Sequence, residues 1–202
     1  MIHPDTELRY ISNEVGYGVV ATKFIPKGTI TWVSDKLDRE FSPKEIAALD
    51  PIYQDILGKY CFRDNRGYYI LCWDNARYVN HSFNSNCLGT AYDFELAIRD
   101  IHPGEELTDD YGYLNLTAPF RARDEGRRRK TVYPDDLAKY WKVWDKKLLA
   151  AFKHITKVEQ PLRVLIKPET WETCCQVAAG QQEMLSILTC LYTGDEENGS
   201  GI

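Results

Sequence analysis

Gly104-Glu105-Glu106-Leu107-Thr108-Asp109-Asp110-Tyr111-Gly112-Tyr113 sets two acidic pairs and a tyrosine between glycines that can turn the chain, with a second tyrosine just beyond. His102-Pro103-Gly104 is a turn signal, and Leu107 to Tyr111 then reads as a short strand. Successive side chains of a strand face opposite ways, so Asp109 is expected to share a face with Tyr111 while Asp110 points away. Taken alone, the stretch reads as a hairpin strand with an acidic entrance.

Upstream lies Ala76-Arg77-Tyr78-Val79-Asn80-His81-Ser82, followed closely by Asn84, Ser85, Asn86 and Cys87. So dense a set of hydrogen-bonding side chains ordinarily makes a polar loop. Further upstream, Gly16-Tyr17-Gly18 opens an apolar run that ends in the turn Ile25-Pro26-Lys27-Gly28. Two glycines around an aromatic residue allow positive φ or a close approach of the backbone to another group.

Residues 7 to 33 alternate apolar and polar positions and predict short strands, as do Tyr68 to Cys72, Cys87 to Ala91 and Phe94 to Arg99. Ser42 with Glu45 is a capping box before a short helix, and Asp50-Pro51 starts a second one ending at Gly58. After Ala118 the pattern turns helical. Leu137, Trp141, Trp144, Leu148, Ala151 and Ile155 form one stripe behind Pro134-Asp135-Asp136, and a second helix is expected from Pro168 to about Tyr192, bent at Gly180. Gly194 to Ile202 reads as a disordered tail.

The chain has 202 residues and a formal net charge of -5, unevenly spread: residues 1–118 hold 11 Lys and Arg against 18 Asp and Glu, residues 119–202 hold 14 against 12. The acidic half disfavours a nucleic acid as direct substrate and would attract a basic polypeptide. The cluster Arg121, Arg123, Arg127, Arg128, Arg129, Lys130 reads as a solvated linker. No apolar run is long enough to span a bilayer, and the N-terminus has no export signal, so an intracellular protein without a membrane is expected, with cytoplasm and nucleus both open. Six cysteines without a C-x-x-C pair fit free thiols in a reducing compartment. The four histidines lack cysteines at ligand spacing, and the common phosphate-loop, dinucleotide and nucleophile-elbow motifs are missing.

In their order, the three clusters resemble the SET-domain family of protein-lysine methyltransferases. The family's G-x-G entry and Ile-Pro-x-Gly turn match Gly16 to Gly28, its R-[FY]-x-N-H-S matches Arg77 to Ser82, and its G-E-E-L-T-x-x-Y-G matches Gly104 to Gly112. The resemblance covers about residues 7 to 115. It implies a mainly β fold with some α, built of several small β-sheets with a threaded C-terminal segment. We expect residues 1–118 to form this catalytic domain and residues 119–202 a C-terminal α-helical lobe, with the tail from about 194. It also implies S-adenosylmethionine as methyl donor, S-adenosylhomocysteine as product, and a lysine in a basic protein segment, histone or not, as acceptor.

Carried over by position, Tyr111 is the catalytic tyrosine, Gly16, Tyr17, Gly18, Asn80 and His81 hold the cofactor, and Arg77 braces the region. Family members with a zinc-bound tail carry Cys directly after N-H-S; here Phe83 stands there, and no Cys occurs between Cys87 and Cys174. No zinc is therefore expected, and Phe120 is the candidate to cover the adenine. Tyr60, Tyr68, Tyr69 and Tyr113 are candidates for the lysine channel wall, each alternatively a packed core tyrosine. Asp109 occupies a position that is commonly Phe, Tyr or Val. A carboxylate bordering the channel is expected to be hydrogen-bonded or turned to water at its mouth.

A lysine with an ordinary pKa near 10.4 must lose its proton before attacking a methyl, at a cost of roughly 4.6 kcal/mol at pH 7. A dry aromatic channel beside a positive cofactor lowers that cost without a dedicated base. The rival reading is a SET-like module that only docks a basic peptide; retention of Tyr111, Asn80, His81 and both glycines argues against it.

Overall fold

The computed structural model describes residues 1–194, so most of the expected tail lies outside the described residues. The chain begins with the antiparallel pair β1 (Thr6–Ser12) and β2 (Gly16–Ala21), in register from Thr6 opposite Ala21 to Ser12 opposite Gly16. Gly16 closes the turn at φ +83°, open to glycine without strain. β3 (Ile30–Val33) and β4 (Arg39–Phe41) follow, then α1 (Pro43–Ala47) and α2 (Pro51–Tyr60). The capping box forms, with the Glu45 N–H donating to Ser42 Oγ at 3.2 Å and the Ser42 N–H donating to Glu45 Oε2 at 2.7 Å. α2 runs two residues past Gly58, which costs an interior glycine only about 1 kcal/mol and lets buried Leu57 anchor the last turn.

β5 (Cys61–Arg63), β6 (Tyr69–Leu71), β7 (Asn80–His81), β8 (Cys87–Gly89), β9 (Phe94–Ala97) and β10 (Thr108–Asp109) are all short. They assemble into a three-stranded sheet β3-β9-β8, another β4-β6-β5, and a two-residue parallel pair of β7 with β10. Tyr111 lies outside any strand: Tyr111–Tyr113 is a single 3₁₀ turn capped by Asp110, whose carboxylate accepts the Gly112 N–H at 3.1 Å. The expected strand from Leu107 to Tyr111 is thus cut short by an Asp side chain competing for the backbone.

β11 (Phe120–Arg121) and β12 (Thr131–Val132) pair with each other before α3 (Asp136–Phe152) and α4 (Pro168–Ala178). The second helix is shorter than the sequence suggests. It stops at Ala178, Gly180 just beyond takes φ +72°, and the chain resumes only as a 3₁₀ turn at Ile187–Cys190. The fold mixes several small β-sheets with helices, which make up more of it than the mainly β expectation allowed, the two longest lying in the C-terminal part. Leu137, Trp144, Leu148 and Phe152 of α3 bury against Ile30, Val33, Leu88, Phe94 and Leu96 of β3, β8 and β9 in one cluster. Trp141 is only partly buried, and Ile155 joins the cluster past the helix end. Truncating a buried Leu or Phe there costs about 2 to 5 kcal/mol, so the helices are part of what keeps the sheet folded.

Arg129 departs from the solvated linker expected of its cluster. Its guanidinium reaches both Asp110 and Asp136 at 2.5 Å and lies 4.6 Å from the ring centres of Phe83 and Tyr140. This bridge ties the start of α3 to the segment after β10, and Asp136 also accepts the Tyr133 N–H at 2.9 Å. Arg121, Arg123, Arg127 and Arg128 remain exposed. Removing one partner of a buried ion pair leaves its carboxylates uncompensated, so Arg129→Ala is expected to lower the unfolding free energy by about 3 kcal/mol. Arg129→Lys recovers only part of it, because an ammonium cannot fork to two carboxylates. Urea denaturation measures both, and a loss below about 1 kcal/mol would contradict a structural role for this residue.

Candidate active site

The β7–β10 pair sets Thr108 beside Asn80 and Asp109 beside His81. Around it, the Asn80 side-chain amide donates to the Tyr17 carbonyl at 2.9 Å and to Glu106 Oε1 at 2.7 Å. Gly18 makes this approach possible: a Cβ there would fall 2.9 Å from Asn80 Nδ2 and run into the Glu106 carboxylate. The first cluster of the sequence is thereby fastened to the second and third.

His81 accepts the Tyr111 N–H on Nδ1 at 3.1 Å, so its neutral form carries the proton on Nε2. That nitrogen is buried without a hydrogen-bond partner. Burial lowers the His81 pKa, outweighing the nearby Asp110 and Glu125, and keeps the ring neutral. The rings of Phe83 and Phe120 stand edge-on to it, with centres 4.4 and 5.8 Å away. Tyr111 donates its hydroxyl to the Val79 carbonyl at 2.7 Å, and its ring centre lies 5.9 Å from that of Phe120. Burial, with the charges of Asp109, Glu106 and Glu95, raises the Tyr111 pKa, so the phenol stays protonated.

On the other side of Tyr111 opens a cavity of about 1170 Å³, lined by Tyr60, Arg77, Val79, Glu95, Asp109, Tyr113 and Phe120 among others. The predicted residues therefore fall into two groups. Gly18 and the Tyr17 carbonyl meet Asn80, and His81 meets Tyr111, with Gly16 set apart at the β1–β2 turn, whereas Tyr60, Asp109 and Tyr113 line the cavity; Tyr111 and Phe120 touch both His81 and the cavity. Tyr69 also lines the cavity, but Tyr68 does not: it is exposed under the Arg66 guanidinium. Arg77 makes no ion pair among the described residues and lies 5.3 Å from the Tyr78 ring centre, so no bracing contact to the cofactor group is seen.

Asp109 is turned away from water: it is only 3% exposed, and its Oδ1 has no hydrogen-bond partner. Burial raises its pKa to about 6, against the opposing influence of Glu95 and Tyr113. Its neighbour is Glu95 on β9, which the sequence reading passed over. Phe94 and Leu96 on either side of Glu95 point into the core, so Glu95 must face the other way. Alternation alone assigns that face to water; only the tertiary structure covers it with β10 and Tyr113. Gly89 on β8, opposite Glu95, leaves the space that the Tyr113 ring fills, since a Cβ there would fall 2.8 Å from Cε2.

No group of His, Cys, Asp and Glu among the described residues is arranged to hold a metal ion. All six cysteines are unpaired, and no helix among the described residues is long and apolar enough to cross a membrane.

Residues 16–112 match the family model of the SET domain. No curated protein matches the chain. Among solved structures, a Plasmodium falciparum protein provisionally named a histone methyltransferase is similar at 18% identity and a TM-score of 0.41, over 55% of this chain and 95% of that one.

The raised Asp109 pKa has a signed consequence. Between the ordinary carboxyl range and about 6 the folded protein holds a proton that the unfolded chain has lost, so this group's contribution to stability falls as pH rises. Relative to wild type, Asp109→Asn should gain stability as pH rises from 4 to 7, by up to about 1.4 kcal/mol per unit at the steepest point. Paired denaturant melts across that range measure the difference, and a pH-independent difference would show that Asp109 is ionised throughout.

Proposed function

The chain belongs to the SET-domain family through its residues 16–112, and on that premise we propose that it transfers a methyl group from S-adenosylmethionine to a lysine side chain of a protein. The observation that carries this reading is the junction at Tyr111. A cluster with an unpartnered buried donor meets a cavity lined with aromatic and charged side chains of both signs, and one tyrosine touches both.

The residues suit such a cofactor. His81 Nε2–H is a buried donor waiting for an acceptor, set between aromatic rings that favour a flat heterocycle, and Gly18 leaves the β2 backbone without a side chain. Gly16, Tyr17, Gly18, Asn80 and His81 would hold the cofactor, with Phe120, exposed at 42%, free to fold over it. When bound, S-adenosylmethionine supplies an electrophilic methyl on a sulfonium centre.

The chain's own residues do the rest. The cavity has the volume to take a long side chain beside Tyr60 and Tyr113, whose rings would keep water from an amine seated between them. The Val79 carbonyl fixes the Tyr111 hydroxyl, whose oxygen keeps lone pairs that can accept weak contacts from the methyl as it moves. Alignment of the amine is then an orientation effect, for which effective molarities can be large. A basic segment around the lysine suits the acidic N-terminal part, in a reducing, intracellular setting. The alternative, a module that docks a basic peptide without transfer, leaves the His81 donor without a purpose.

Tyr111→Phe is expected to lower turnover at least roughly tenfold while cofactor affinity changes little, since the ring still packs. Asn80→Ala should weaken cofactor binding by about 1 to 3 kcal/mol through loss of the amide that fixes the β2 backbone. Calorimetric titration with S-adenosylmethionine reads the second effect, and tritium transfer to fractionated lysine-rich proteins reads the first. Absence of any heat with the wild-type chain would favour the docking module.

A further inference from the structure

Two acidic side chains, Glu95 and Asp109, face the same cavity in front of Tyr111, and although Lys59, Arg63, Arg66 and Arg77 also line it, none of them pairs with either carboxyl. Asp109 is almost fully buried with an oxygen that has no hydrogen-bond partner, and Glu95, half-buried, lines the same cavity. No Lys or Arg forms an ion pair with either among the described residues, although Asp110 next door has Arg129. The Tyr113 hydroxyl is buried beside them, also without a partner in hydrogen-bond geometry. Burying charge without a counter-charge is costly, so a protein that leaves two carboxyls and a phenol open to one cavity has left room for a cation with several N–H donors. Tyr60, Tyr69 and Tyr111 also line this cavity, and aromatic ring faces attract cations.

We propose that Glu95 and Asp109 together seat the positively charged nitrogen of the substrate side chain and that Asp109 takes its proton. In the free protein the pair shares one proton, held on the Glu95 side, because burial and the neighbouring Asp109 charge raise the Glu95 carboxyl, whereas Glu95 works against the rise that burial imposes on Asp109. An entering ammonium pairs with the remaining carboxylate. One N–H bond then breaks, its electron pair stays on nitrogen, and an O–H bond forms on Asp109. The amine is left neutral with its lone pair free, and both carboxyls are protonated. The cation seat rests on the cavity alone, whereas the proton transfer rests on the methyltransferase reading. The pair makes this chain select a charged nitrogen, which a purely aromatic channel does only through its ring faces.

The probe is n-butylammonium, a lysine side chain without its backbone, titrated into the full chain without cofactor and followed by backbone amide NMR. The uncharged 1-butanol, of similar size, is the control. Saturable shifts at Gly89 and Tyr113 are expected with the amine and not with the alcohol. Glu95→Gln with Asp109→Asn should weaken amine binding at least tenfold. Equal affinity in the folded double variant, or equal binding of the alcohol, overturns the proposal. If the double variant does not fold, Glu95→Gln alone and the side-chain carboxyl 13C shifts of the wild type decide, since an Asp109 carboxyl unmoved by the amine contradicts the seat. A separate titration with S-adenosylmethionine keeps the readings apart. Failure of the cofactor to bind removes the methyltransferase reading and leaves the amine result standing on its own.

Discussion

The two-residue parallel contact between Asn80-His81 and Thr108-Asp109 is the constraint on which the rest of the site depends. A pairing this short cannot hold itself together, because fixing each residue's backbone costs about 1 to 2 kcal/mol against a net gain of about 1 per hydrogen bond. Side chains hold it. Asn86 is fully buried, accepts the Thr108 N–H at 2.8 Å and donates to the Glu106 carbonyl at 2.8 Å. The Ser82 N–H donates to the Asp109 carbonyl at 2.8 Å, and His81 accepts from Tyr111. Polar residues that suit a solvated loop thus become a buried seam.

That seam also sorts the charges. Asp109 and Asp110 are adjacent in sequence, and the backbone sends them to opposite sides. Asp110 meets Arg129 and, through it, Asp136 at the start of α3, so its charge is neutralised at once. Asp109 turns to Glu95 and the cavity, where no such partner waits. The same strand end therefore stores one satisfied carboxylate that binds the C-terminal helices to the sheets and one unsatisfied carboxyl that gives the cavity its chemistry. The helices contribute through this link and through their apolar faces, since α3 shares one core with β3, β8 and β9.

Much of this was legible in the sequence. The capping box at Ser42, the apolar stripe from Leu137 to Leu148 and the opposite orientations of Asp109 and Asp110 follow from local rules, because each depends on neighbours within a few residues or on a fixed period. The three motif clusters, read together, pointed to the family that residues 16–112 match. Three features did not follow. Arg129 sits in a basic run that resembles any solvated linker, Glu95 lies at a position that alternation assigns to water, and Gly89 carries no local signal for the ring that fills its space.

The division has a physical reason. A sequence by itself determines hydrogen bonds and side-chain directions that close within one turn or one strand, so it determined the elements, their caps and the chemical character of the motifs. Tertiary structure decides what covers each exposed face, because that depends on segments far apart in the chain. Only when β10 and Tyr113 come to lie beside the outer face of β9 is Glu95 drawn out of open solvent, and only then does its carboxyl meet that of Asp109 at one cavity.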